Sequence, residues 1–228
     1  NCSSKGDAMT PSVSPRDVAD WGNRAGFTLP ESALVPLAAY LDLLMQWNKV
    51  MNLVGTRSAE ETFFTLVVDS LHLARFLTEK VALAAAPSCW DLGSGAGLPG
   101  LPLRMLWTEG EYWLVESREK RALFLSTALA RHPLSGTRVY RGRAESFMAG
   151  PPSRQADLVV SRAFMPWPDV LRLVRANLKP EGTVILLLRE ELPTLPEWGQ
   201  AAAHWEITSS QSYAVGGKQR SFWALRAR

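Results

Sequence analysis

The sequence predicts an α/β fold. A mostly parallel sheet carries helices on both faces, ends in an antiparallel strand pair and follows a helical extension. Three observations carry that expectation. The stretch CWDLGSGAGLPG, residues 89–100, is a short apolar run closing on four glycines, the pattern of a strand feeding a tight turn and then a helix. From there to about residue 188, apolar runs alternate with segments of helical period. From His204 the alternation stops, and two strand-like runs joined by Gly216-Gly217 read as an antiparallel pair.

Residues 1–30 form an N-terminal tail, with Met9 read as the native start, residues 1–8 set outside the fold and a short helix over Asp17–Ala25. Residues 31–80 form a helical extension. Apolar Leu34, Leu37, Ala38, Leu41, Leu44 and Met45 predict an amphipathic helix over Glu31–Val50, and a second helix runs from Ala59 to Leu77, capped by Ser58. Residues 81–228 form the α/β domain. Its strands are CWDL, EYWLVE, TRVYRGR, ADLVVS and TVILLL, followed by the terminal pair. Helices begin at LPLRMLW, cover REKRALFLSTALAR and cover PDVLRLVRANLKPEG, the last with Gly182 after its end.

Composition narrows the class. The chain has 228 residues, 46% hydrophobic and 21% charged, an ordinary globular balance with enough length for a sizeable core. A net charge of +3 permits a polyanionic partner without demanding one. No apolar run approaches a membrane span, so no membrane partner is expected. Cys2 and Cys89 do not make a disulfide framework, which favours a reducing compartment and a cytoplasmic location. No His/Cys/carboxylate spacing suggests a metal.

The glycine loop decides the chemistry. Gly95-Ala-Gly97-Leu-Pro-Gly100 matches the dinucleotide fingerprint, but that pattern alone is weak. Read instead as Asp91-Leu-Gly93-Ser94-Gly95-Ala-Gly97, it places a carboxylate before the first glycine. That suits the amino-acid part of S-adenosylmethionine (SAM), whereas a pyrophosphate prefers bare helix amides. Glu116, ending the second strand, can take both ribose hydroxyls of either ligand. Glu145, after the third strand, suits an adenine edge. Three successive strand ends thus carry suitable groups at the carboxyl edge of the sheet, where open α/β folds bind ligands. With the antiparallel last strand, this predicts a Rossmann-like class I SAM-dependent methyltransferase sheet of seven strands. The alternatives weighed are an NAD site and a plain glycine turn among surface acids.

The acceptor is read from the residues after the fourth strand. Ser161-Arg162-Ala163-Phe164 lacks the Asn/Asp-Pro-Pro-aromatic motif that polarises an exocyclic amine. Cys89 lies in a strand and is no candidate nucleophile. An acceptor that is already nucleophilic, such as N7 of guanine, is therefore favoured, with catalysis by positioning and no general base. Arg162 is the positioning candidate. Arg118, Lys120, Arg121, Arg131, Arg138, Arg141 and Arg143 make a basic stretch that could follow an RNA backbone. Trp90 and Trp113 read as core, Trp47 as helix packing and His72 as a helix-surface histidine.

WNKVMNL (47–53), DSL (69–71), DLGSGAGLPG (91–100), KRALFL (120–125), GRAE (142–145) and SRA (161–163) resemble, in this order, the RsmG family, also called glucose-inhibited division protein B. The resemblance spans residues 34–228. It implies a SAM-dependent enzyme that methylates guanine N7 at the family's position 527 of 16S rRNA, acting in the cytoplasm without a metal. It implies cofactor contacts at Gly93, Leu98, Ala144, Glu145 and Arg162. The RNA-binding candidates are Arg118, Lys120, Arg121, Arg143, Arg189 and Arg220. Leu66 stands where the family carries histidine, and Arg189 where it carries lysine. The partner expected is 16S rRNA or the small ribosomal subunit, with a monomer as the default state. Two rival functions stay open: a SAM methyltransferase of another acceptor class, and a non-enzymatic ribosome- or RNA-binding factor on the same fold.

Overall fold

The structure, a computed structural model, describes residues 12–150 and 154–228. Residues 1–8, Met9 and Cys2 lie outside the described residues. Helix α1, Pro15–Arg24, starts on a capping box: Ser14 Oγ accepts from the Asp17 amide, and the Asp17 carboxylate accepts from the Ser14 amide. It packs on α2, Glu31–Met51, through the buried Val18. Asn52 ends α2 in the left-handed region (φ 49°). Asn48 then ties the following loop by accepting from the Val54 amide and donating to Thr56 O.

The second predicted helix is one helical stretch in three parts: α3, Ala59–Thr62, a π-helical turn over Phe63–Val67, and α4, Val68–Lys80. Ser58 caps it, accepting from the Glu61 amide at 3.1 Å. The π turn had no signature in the apolar spacing.

The sheet has seven strands: β1 (Ser88–Leu92), β2 (Glu111–Glu116), β3 (Thr137–Arg141), β4 (Ala156–Ser161), β5 (Leu178–Leu188), β6 (Trp205–Val215) and β7 (Lys218–Ala227). Their order is β3-β2-β1-β4-β5-β7-β6, and β7 alone runs against the direction of the others. Gly216 and Gly217, both at positive φ, make the β6–β7 turn. The connecting helices are α5 (Gly100–Leu106), α6 (Glu119–Arg131), α7 (Ala144–Ala149), α8 (Trp167–Val174) and α9 (Trp198–Ala201).

Period-two alternation builds two cores. Cys89, Leu114, Leu158 and Ile185 face α2, α4, α5 and α6. Trp90, Val115, Val159 and Val184 face the α7–α8 side. The extension and the sheet therefore share one continuous core. As expected for packing residues, Trp90 is fully buried and Trp47 lies 5.6 Å from the Phe124 ring. One expectation fails. Helix α8 ends at Val174, and Gly182 lies inside β5, not beyond a helix. The Pro180-Glu181-Gly182 triplet reads as a turn, yet it is taken up where the β4–β5 register shifts.

Candidate functional site

The chain runs outward from β1 through β2 to β3, then returns to β4 on the other flank of β1. This reversal opens a crevice at the carboxyl ends of β1 and β4. The loop after β1 fills it. Gly93, Gly95 and Gly97 all have positive φ, at 70°, 57° and 79°. Gly93 is the position that most needs a bare Cα: any Cβ there would overlap the Phe164 ring, which follows β4 across the crevice.

The loop is tied on every side. Gly93 and Ser94 amides donate to Val115 O at 2.9 and 3.1 Å, and Ser94 Oγ donates to Asp91 O at 2.8 Å. The Gly95 amide donates to Glu116 Oε2 at 2.8 Å, while Glu116 Oε1 accepts from the Arg118 amide at 2.8 Å. The extension clamps the far side: Tyr40 Oη on α2 donates to Ala96 O and Ser70 Oγ on α4 donates to Pro99 O, both at 2.9 Å. Tyr40 and Ser70 carried no predicted role. Tyr40 is hidden in an apolar helical stripe, and Ser70 lay in plain view in the Asp-Ser-Leu motif.

Asp91 is buried beneath the loop. Tyr112 Oη lies 3.5 Å from its carboxylate, and the Gly100 amide donates to it. Burial, the leading cause, pushes its pKa up to about 7 against those hydrogen bonds and the nearby charge of Arg162. The folded chain then holds a proton that the unfolded chain has lost between about pH 4 and 7, so Asp91 subtracts stability as pH rises through that window and nothing further above it. Asp91→Asn is expected to flatten that part of the stability profile, by on the order of 1 kcal/mol per pH unit, in denaturant titrations at pH 5 and 7. Equal slopes in both proteins would contradict this.

A cleft of about 200 Å³ opens between Gly93, Val115 and Ser117 on one side and Gly142, Arg143, Ala144 and Glu145 on another, with Phe164 and Met165 closing it. The structure thus brings Gly93, Ala144 and Glu145 together around one space. Glu116, Gly95 and Ser94 form the floor of the adjoining loop. Asp91, Ser94, Gly95, Gly97, Leu98, Glu116 and Arg162 are not part of that lining, and the Leu98 side chain is buried in the core. Arg162 lies on the side of the loop facing the extension, 3.6 Å from Asp69 and electrostatically in reach of Tyr40 and Asp91.

Arg118, Lys120 and Arg143 are exposed, Arg121 is half-buried, and Arg189 is exposed just after β5. Arg220 is corrected: its guanidinium turns inward and donates to Thr65 O and Asp69, because the β7 backbone at that position faces the buried end of α4. His72 is corrected too. It is no surface histidine but is stacked on Tyr213 at 4.1 Å with Phe27 edge-on at 4.8 Å, and burial pushes its pKa down. Leu66 is half-buried against the core. Cys89 is buried and its thiol is pushed up to about 12, which leaves it no nucleophile.

The site fits the cofactor that the sequence implied. Glu116 keeps one free lone pair on each oxygen after its two amide contacts, as a diol requires, and Gly93 lets a ligand meet bare backbone. Comparison with known proteins agrees. Solved structures that resemble this chain include a ribosomal protein L11 methylase from Lactobacillus delbrueckii subsp. bulgaricus (TM-score 0.52, 17% identity, 71% of this chain and 79% of that one). A methyltransferase from Pyrococcus furiosus is also similar (TM-score 0.50, 15% identity, 68% and 82%). Both show the class I methyltransferase fold. Ribosomal RNA small subunit methyltransferase G of Nitratidesulfovibrio vulgaris strain DP4 is 50% identical over 94% of each chain. The protein of that name from Oleidesulfovibrio alaskensis is 48% identical over 89% of this chain and 90% of its own. The family model for GidB, rRNA small subunit methyltransferase G, matches residues 34–222, and the chain belongs to that family.

Proposed function

We propose that this protein transfers a methyl group from SAM to N7 of a guanine in 16S rRNA, at the site the family modifies. The single observation that carries this is the ordered glycine loop at the switch point, wedged between Glu116 and Phe164, in a chain 50% identical to a named small-subunit rRNA methyltransferase. SAM supplies a methyl group on a sulfonium, which an in-ring nitrogen lone pair can take without prior loss of a proton.

The chain's own residues orient. The Gly93–Gly97 loop, with Asp91 fixing it from below, receives the amino-acid part; Glu116 takes the ribose; Ala144 and Glu145 border the adenine. Arg162 aims a cation at a carboxylate or at the acceptor base. Transfer to an in-ring lone pair needs no general base, so positioning carries the step. Residues 31–80 serve as a clamp on the loop and residues 81–228 as the methyltransferase domain, acting as a monomer in the cytoplasm. Among the described residues no helix is long and apolar enough to cross a membrane.

Arg118, Lys120, Arg121, Arg143 and Arg189 offer positive charge along the carboxyl edge. Arg118 and Arg143 are the N-cap residues of α6 and α7. A cation gains nothing from the positive end of a helix dipole, so this placement is no stability device. It suits an approaching polyanion.

The test is methyl transfer from labelled SAM to small-subunit RNA lacking the modification. Label in RNA that disappears when the acceptor is digested with ribonuclease beforehand supports the reading. Label in protein, or none in any RNA, contradicts it.

A further inference from the structure

We propose that Asp69 is a positioning residue for methyl transfer: it holds the Arg162 guanidinium beside the glycine loop without using up its hydrogen-bond donors. The proposal rests on the reading of Arg162 given above.

Asp69 is the second residue of α4 and its side chain is only 3% exposed. Oδ1 accepts two hydrogen bonds and Oδ2 one. Arg220 Nη1 donates to both at 2.6 Å and to Thr65 O at 2.7 Å, and Tyr213 Oη donates to Oδ1 at 2.9 Å. Arg162 Nη2 stands 3.6 Å from Oδ2, an ion-pair distance beyond hydrogen-bond length. A guanidinium facing a free carboxylate ordinarily closes into a forked, two-bond pair. Here Arg220 spans both oxygens and Tyr213 adds a second bond on Oδ1, which leaves no two-oxygen face for a second fork, and Arg162 stands off at ion-pair distance from Oδ2. Arg162 makes no hydrogen bond among the described residues, although its side chain is just 23% exposed.

The result is a cation held by attraction at a fixed place with its five N–H donors unspent. One carboxylate faces two guanidiniums, so the cluster keeps a positive charge for an oxygen acceptor on cofactor or base. The backbone restricts Arg162 as well: the next residue, Ala163, sits at φ 52°, a conformation an alanine adopts only when its surroundings impose it. Three separate parts of the chain thus converge on one arginine: the extension through Asp69, the terminal hairpin through Tyr213 and Arg220, and the β4 loop through Ala163.

The experiment is a double-mutant cycle on the full chain, with Arg162→Ala, Asp69→Asn and the pair. The readouts are kcat and KM for small-subunit RNA, and Tm. Asp69→Asn and Arg162→Ala are each expected to lower kcat/KM by roughly ten- to a hundredfold. The pair is expected to be no worse than Arg162→Ala alone, because Asp69 acts through it. Asp69→Asn leaves Arg220 without its counter-charge and could unfold the chain, so Tyr213→Phe forms a second cycle. That change removes one of the two bonds Oδ1 accepts, leaves the Asp69 carboxylate freer to turn toward Arg162 and is expected to lower kcat/KM severalfold with Tm near wild type, an effect absent in the Arg162→Ala background. Additive losses in the cycles, or variants with lowered Tm and wild-type kcat/KM, overturn the positioning role and leave the site reading standing. Wild-type kcat/KM in Arg162→Ala overturns both.

Discussion

Gly93→Asp is expected to bind no SAM measurable by calorimetry, a loss of a hundredfold or more, while the chain stays folded. Three effects combine. The backbone at φ 70° disfavours any side chain, at a cost of roughly 1–2 kcal/mol. The new Cβ overlaps Phe164, so the ring or the loop must shift where the cleft narrows. The added carboxylate then repels the carboxylate of the methionine part. Gly93→Ala keeps the first two effects without the charge and should fall between the variant and the wild type. Unchanged affinity in Gly93→Asp, with native circular dichroism, would remove the loop from the cofactor site.

The largest stability loss is expected far from that chemistry, at Arg104→Met. Arg104 on α5 is fully buried, and no carboxylate forms an ion pair with it among the described residues. It donates to the carbonyls of Trp107, Thr108, Glu109, Gly110 and Ser135 and to Thr137 Oγ1, at 2.8 to 3.3 Å. Those groups form the loops that enter β2 and β3. Removing the guanidinium strands several buried acceptors at once, which should cost about 3–5 kcal/mol of unfolding free energy in urea titration. Lysine, with three donors and no planar fork, should rescue little. Arg104 lies at the amino edge of the strands, opposite the cleft, so the folded variant should keep its affinity for SAM. A loss below about 1 kcal/mol would refute the role given to the carbonyl cage.

Much of the fold could be read from local signals. Glycine density marked the β1 turn, period-two runs marked the strands, and Gly216-Gly217 marked the hairpin. Gly93, Glu116 and Glu145 could be assigned to one edge of the sheet because a parallel sheet delivers successive strand ends there. What escaped was set by tertiary packing. An arginine on a terminal hairpin reads as solvated, and only the fold reveals that Arg220 meets Asp69 from 151 positions away. His72 lay on a helix whose outer face is covered by Tyr213. Gly182 sat in a triplet with turn chemistry, and a strand with an irregular start absorbed it.

The proposed acceptor is N7 of a guanine in small-subunit RNA. The most direct measurement treats the product RNA with borohydride and aniline, which cleave the chain at N7-methylguanosine, and maps the cut. One new cut at the family's guanine, dependent on both enzyme and SAM, is the predicted result. Methyl label in the RNA without any cut would contradict it.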